Sequence, residues 1–194
     1  MDDLLILYMS LSATPNTVLL VMGMQNDKLI SSTPPTLVPA VNASIRAAYN
    51  RGWKVVFSLD LHHPHHVSFT HGPPHCVLQS HGARLVRALD YLYVQNADMV
   101  LRGLDKDADS DDAFYVSHGS PSRLRDILWD AASGQYCRLC VCGVSPDGAM
   151  EATVRTATLQ GYCLGKPAII SDASFLPPTH ATFYTLDELL SLWD

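Results

Sequence analysis

The sequence predicts an α/β domain of three layers, α-β-α, with helices on both faces of a mainly parallel central sheet. Three observations carry this. Short, continuous apolar runs at 17–22, 54–59 and 138–144 have the pattern of strands buried on both faces. Stretches with apolar residues at helical spacing lie between them, and such alternation reads as parallel strands joined by crossovers. The chain has 194 residues, 47% of them apolar, which suits one sizeable core and excludes a disordered chain.

Each element follows in order. The run at 17–22 is the first strand. Residues 37–50 place Val38, Val41, Ile45 and Ala48 at helical spacing, and residues 54–59 form the second strand. A loop rich in His and Pro covers 60–82, and 83–92 is expected to be a helix. Residues 98–101 form a short third strand. The stretch 103–112 carries Asp105, Asp107, Asp109, Asp111 and Asp112 and reads as a solvated loop. Ser120-Pro121 is a helix-opening pair, with Leu124, Ile127 and Leu128 facing inward. Residues 138–144 are a fourth strand, 148–160 a helix stopped by Gly161, and 166–170 a fifth strand. A helical turn or two at 186–193 closes the chain. No internal repeat or linker interrupts this order. We expect one folded domain over 17–194, preceded by an apolar extension over 1–16.

Composition narrows the function. Charged residues are 16% of the chain, against a usual ~25%, so some surface is expected to be covered by partners. A net charge of −6 argues against a nucleic-acid binder with a basic face. No apolar run approaches the ~20 residues of a membrane span. Five cysteines, three of them at 137, 140 and 142, read as reduced thiols rather than a disulfide framework. Residues 4–9 are apolar but follow Asp2 and Asp3, unlike a secretory or mitochondrial leader. An intracellular protein, cytoplasmic or cytoskeletal rather than mitochondrial, is expected. The N-terminal patch reads either as a segment packed on its own core or as a docking segment for another chain.

The histidine loop is the strongest local signal. Seven of the nine histidines lie between 62 and 81, and Asp60-x-His62-x3-His66 is followed by His75 after Pro73-Pro74. A carboxylate and several imidazoles at a strand end suit Zn, Fe or Mn, and a surface loop with incidental histidines is the alternative. His63, His65, His71 and His81 have no assigned role and are expected to be exposed.

Several ordered segments resemble one family, the isochorismatase-like hydrolases, and within it the nicotinamidases. Val21-Met22-Gly23-Met24-Gln25-Asn26-Asp27 resembles the family's Val-Val-Asp-x-Gln-Asn-Asp. Asp60-x-His62-x3-His66-Val67-Ser68-Phe69 and Pro73-Pro74-His75-Cys76-Val77 resemble the nicotinamidase His segments. Arg102-Gly103 falls where the family has Lys-Gly, and Asp109 to Phe114 resembles Asp-x-Tyr-Ser-Ala-Phe. Residues 141–153 resemble Val-x-Gly-Val-Ala-x-Asp-Tyr-Cys-Val-x-Ala-Thr. The resemblance implies a Rossmann-like, three-layer fold and a metal held by Asp60, His62, His66 and His75.

It also implies three departures. The family's Cys nucleophile sits at a helix N-terminus, with an Asp base and a Lys beside it. The corresponding residues here are Ala149, Gly23 and Arg102, so no catalytic residue is assigned. Lys28 stands where the family places an aromatic, and Gly72 where a Trp would precede the prolines. Cys140 and Cys142 read as core thiols, Cys76 as part of the family pattern, and Ser145 has no obvious base. From these departures we expect a pseudoenzyme, a scaffold subunit of a larger assembly with other protein subunits as partners and homo-oligomerisation left open. The alternative is a metal-dependent amide hydrolase in which metal-bound water replaces the missing Cys. A small-molecule sensor is a third reading. One divalent metal or none fits this reading.

Overall fold

The computed structural model describes residues 16–134, 137–175 and 182–193. The expected extension at 1–16 lies, apart from Asn16, outside the described residues.

Six strands build the main sheet: β1 (Thr17–Met22), β2 (Lys54–Asp60), β3 (Asp98–Arg102), β6 (Arg138–Val144), β7 (Ala168–Phe175) and β8 (Thr182–Tyr184). Their order is β3-β2-β1-β6-β7-β8, and every pairing is parallel. A separate antiparallel pair, β4 (Tyr115–Ser117) and β5 (Ser120–Pro121), stands apart from it. The chain winds outward from β1 through β2 to β3, then returns to lay β6 on the other side of β1. Ligands in such sheets bind at this reversal, beyond the carboxyl ends of the strands.

Alternation along each strand explains the two cores. Val18, Leu20 and Met22 of β1 join Leu139 and Val141 on one face, with Leu124, Ile127 and Leu128 of α3 (Leu124–Ala131) and Met150 and Val154 of α4 (Ala149–Leu159). Leu19 and Val21 join Phe57, Cys140 and Cys142 on the other face. That face is covered by Val41 and Ile45 of α1 (Leu37–Asn50) and Leu189 of α5 (Leu186–Trp193). The expected three-layer α/β fold is therefore observed. All five cysteines are unpaired and buried. Among the described residues no helix is long and apolar enough to cross a membrane.

Three local expectations need correction. Residues 83–90 are not helical, because their backbone pairs with the segment after β1: Asn26 N donates to the Arg84 carbonyl and Val86 N to that of Met24. Only the single turn α2 (Tyr91–Val94) follows. Ser120-Pro121 forms β5 rather than a helix start, and Ser122 Oγ accepts from Leu124 N at 3.1 Å where α3 begins. The acidic stretch 103–112 is only partly solvated: Ser110 and Asp112 are buried, and Asp112 accepts from Thr156 Oγ1 at 2.6 Å.

β1 and β6 approach so closely at the reversal that only glycine fits. A Cβ on Gly143, which has φ +113°, would run into the Met22 carbonyl, and one on Gly23, at φ +60°, into the Val144 carbonyl. Gly143→Ala is therefore expected to lose at least ~2 kcal/mol of stability through backbone strain and displacement. Urea denaturation checks this; an unchanged midpoint would mean that the strands separate at no cost.

Candidate functional site

Beyond the ends of β1, β2, β3 and β6, the backbone is positioned by the residues that follow β1. Gln25 is fully buried and clamps the end of β2. Its Nε2 donates to the carbonyls of Asp60 (2.7 Å) and Ala83 (2.8 Å), while Asp60 N donates to its Oε1 (2.8 Å). Asp27 reaches the other side of the loop and accepts from Cys76 N at 2.7 Å. Gly82 leaves the space that the Asp27 carboxylate fills. The His62 backbone is then held against the segment 76–78, with its N donating to the Cys76 carbonyl and its carbonyl accepting from Leu78 N.

These contacts gather three imidazoles. His62 and His66 stack at 4.4 Å between ring centroids, His62 and His75 meet edge-on at 4.7 Å, and the Phe69 ring lies 5.5–5.8 Å from all three. His62 lays its Cδ2–Nε2 edge against Gly103, where a Cβ would collide with the ring. His62 Nδ1 and His66 Nε2 are buried and have no hydrogen-bond partner among the described residues. Two buried nitrogens without partners are costly in an apolar setting, unless something else occupies them. His75 Nδ1 lies 3.2 Å from the Pro73 carbonyl, which can only accept, so the proton sits on Nδ1 and the Nε2 lone pair is open. Ser68 Oγ, 2.7 Å from His66 Nδ1, can take a proton from that nitrogen and leave Nε2 as a lone pair too. Burial pushes the His62 imidazole down to about 4 despite the opposing Asp60 charge, so it is neutral at neutral pH, as a ligand must be.

Two donor groups result. Ligand atoms of Asp60, His62 and His75 lie within 4.8 Å of one another, as do those of His62, His66 and Asp109. Imidazole and carboxylate donors with unpartnered nitrogens fit a divalent cation such as Zn, Fe or Mn. The four residues expected from the sequence thus converge around His62. Asp109, which the sequence places in a solvated loop and at the start of a family-like segment but not among the ligands, joins them. His63, His65, His71 and His81 are exposed.

Beside the imidazoles lies a cluster of four charges. Lys28 Nζ and Arg102 Nε both pair with the Asp60 carboxylate, and Arg102 Nη2 donates to Asp60 Oδ2 at 2.9 Å. Asp147 Oδ2 receives Lys28 Nζ at 2.8 Å and Arg102 Nη2 at 2.7 Å. Lys28 is 3% exposed, Asp60 2% and Arg102 8%. Burial disfavours each charge, but the opposite charges outweigh it: Lys28 and Arg102 are shifted up, Asp60 and Asp147 down, and all four stay ionised. Sequence reasoning saw Lys28 only as a missing aromatic.

The family's reactive positions are altered in kind. Ala149 is buried at the start of α4 and has no nucleophilic atom. Gly23 is left-handed and pressed on Val144, so a carboxylate there would need the backbone to move. Ser145 Oγ accepts from Met150 N at 2.8 Å and donates to Asp147 Oδ1 at 3.2 Å, so it caps α4. Burial pushes the Cys76 thiol up to about 12, which makes it inert as a nucleophile at neutral pH.

Two outcomes follow. The unfolded chain protonates His62 near 6.5 and the folded one near 4, so between these values the unfolded state binds more protons. Metal-free protein should therefore lose stability as pH falls from about 6.5 to 4, and His62→Gln should flatten that window in chemical denaturation. Arg102→Met strands the buried Asp60 carboxylate with Lys28 alone and should cost ~3–5 kcal/mol by the same measurement. A loss below ~1 kcal/mol would show that the cluster contributes little.

Comparison with known proteins places this geometry. The family model described as the isochorismatase domain matches residues 17–189. The pyrazinamidase of Pyrococcus horikoshii in complex with zinc is 26% identical, with a TM-score of 0.67, covering 92% of this chain and 93% of its own. PnC1 from L. infantum in complex with nicotinate is 23% identical (TM-score 0.69; 91% and 96% covered), and the yeast nicotinamidase bound to the inhibitor nicotinaldehyde is 20% identical (TM-score 0.68; 91% and 93% covered). No curated protein matches the chain. The expectation of a pseudoenzyme scaffold is corrected by these findings, since the matched domain is that of an enzyme family and the solved relatives are enzymes by name. The expectation rested on the joint loss of nucleophile, base and lysine at Ala149, Gly23 and Arg102, which removes a covalent route but leaves the imidazole cluster assembled. The match over 17–189 makes the chain a member of the isochorismatase family.

Proposed function

We propose that this chain is a metal-dependent hydrolase of small amides that works without a covalent thiol intermediate. The observation that carries this is the pair of buried, unpartnered imidazole nitrogens, His62 Nδ1 and His66 Nε2, beside the open Nε2 of His75. The zinc in the Pyrococcus pyrazinamidase supports a metal here, and the amidase names of the relatives support an amide substrate. A bound divalent ion would supply Lewis-acid polarisation and a more acidic coordinated water.

The chain's own residues do the rest. His62 would hold the ion with one of two partner pairs, His75 and Asp60 or His66 and Asp109. The half-buried Phe69 ring packs against all three imidazoles. Among the described residues, the family's nucleophile position and its neighbours offer no activated group: Ala149 has no reactive atom, Ser145 is engaged as a cap, and the Cys76 thiol stays protonated. Lys28 is buried in its ion pairs at a position where the nicotinamidases place an aromatic, and Gly72 is exposed. The family's ring-sandwich positions are therefore not aromatic in this chain, and substrate choice should depend on the amide more than on an aromatic ring.

Protein loaded separately with Zn, Mn or Fe should hydrolyse pyrazinamide or a simple aliphatic amide. Activity should vanish with chelator, fall at least ~100-fold in His62→Ala, and survive iodoacetamide. Absence of turnover with all three metals, or loss of turnover on alkylation, would overturn the proposal.

A further inference from the structure

We infer that the carboxylate ligand of this chain's metal is Asp109, with His62 and His66, rather than Asp60. Both oxygens of Asp60 are already held by cations: Arg102 Nε at Oδ1, and Lys28 Nζ with Arg102 Nη2 at Oδ2. A metal recruiting Asp60 would have to displace two buried ion pairs, leaving Lys28 and Arg102, 3% and 8% exposed, with Asp147 as their remaining anion.

Asp109 carries no such obligation. One of its oxygens accepts from Ser110 N at 2.8 Å, and the other makes no hydrogen bond or ion pair among the described residues. Its ligand atom lies within 4.8 Å of those of His62 and His66, the two residues whose buried nitrogens lack partners. The loop that carries it is fixed on several sides. Gly103 N donates to the Val116 carbonyl, His118 N to that of Asp109, and Val67 N, next to His66, to that of Lys106.

Arg102 links the two halves of the inference. Its fork holds the Asp60 carboxylate while Nη1 donates to the Ser110 carbonyl at 3.2 Å, one residue from Asp109. A Lys, a single compact donor group, could not span both. The same side chain thus engages one carboxylate and positions another. Two imidazoles and one carboxylate are a donor set that leaves further coordination positions open.

The inference concerns metal binding and does not rest on turnover. It is tested with the metal alone, by competition of Zn against a chromophoric chelator in wild type, Asp109→Asn, Asp107→Asn and Asp111→Asn. Asp109→Asn should weaken zinc at least ~10-fold, while the two neighbouring variants stay within ~3-fold of wild type. Loading with Co and recording its visible spectrum should show an altered band in Asp109→Asn only. Asp109 is exposed, and an unchanged melting temperature of the metal-free variant confirms that it folds. Wild-type affinity in Asp109→Asn, an equal loss in all three variants, or no zinc binding by wild type would each overturn the inference. Zinc binding lost in Asp109→Asn without any amidase activity in wild type would leave this inference standing and sink the hydrolase reading.

Discussion

The mutual neutralisation of four charges at the end of the sheet is the constraint on which the rest of the site depends. Lys28, Asp60 and Arg102 are nearly inaccessible to water, and each would be untenable alone. With Asp147 they sum to zero, each anion meeting both cations. The four residues come from the turn after β1, the end of β2, the end of β3 and the segment between β6 and α4. Satisfying the cluster therefore fixes the relative positions of the four segments that converge at the reversal of strand order. A displacement of any of the first three would leave a nearly inaccessible charge without a counter-ion, whereas Asp147, 37% exposed, keeps contact with solvent.

This cluster also decides what chemistry the strand ends retain. Arg102 stands at the family's Lys position, yet its guanidinium is fully engaged by Asp60, Asp147 and the Ser110 carbonyl. A group held this way neither shuttles a proton nor lowers a thiol's affinity for one. The imidazoles lie next to the cluster but outside it. His62 feels the Asp60 charge, but burial dominates and the ring stays neutral. The ion-paired side chains and the imidazoles thus form adjacent compartments, one closed on itself and one with unpartnered nitrogens.

The sequence carried the sheet well because buried parallel strands write themselves as continuous apolar runs, as at 17–22 and 138–144. It failed at 83–92, where spacing favoured a helix but backbone pairing with Met24 and Asn26 prevailed. Propensity is local and that pairing spans about sixty residues of chain. In the site, Asp60, His62, His66 and His75 were legible from spacing and family resemblance. Asp109 was not, because an acidic loop looks solvated until the hydrogen bonds of Ser110 and the Lys106 carbonyl turn it toward His66. Lys28 and Asp147 were equally hidden: nothing in their neighbours in sequence shows that their charges meet.

The glycines show why closure at the family's base position leaves the imidazoles undisturbed. Gly103 makes room for the His62 ring, and Gly82 for the Asp27 carboxylate that braces Cys76 and hence His75. Both glycines serve the histidine compartment, and both match its geometry closely. Gly23 acts in the opposite sense: its backbone rests on Val144 and occupies the volume that a side chain at the family's base position would need. β1 and β6 are drawn together there, so the base position is closed by backbone and not merely missing a side chain. The imidazole compartment lies one strand away, on β2, and is supported from β3 and the loops. Closing the β1–β6 side therefore leaves the donors of His62, His66 and His75 in place.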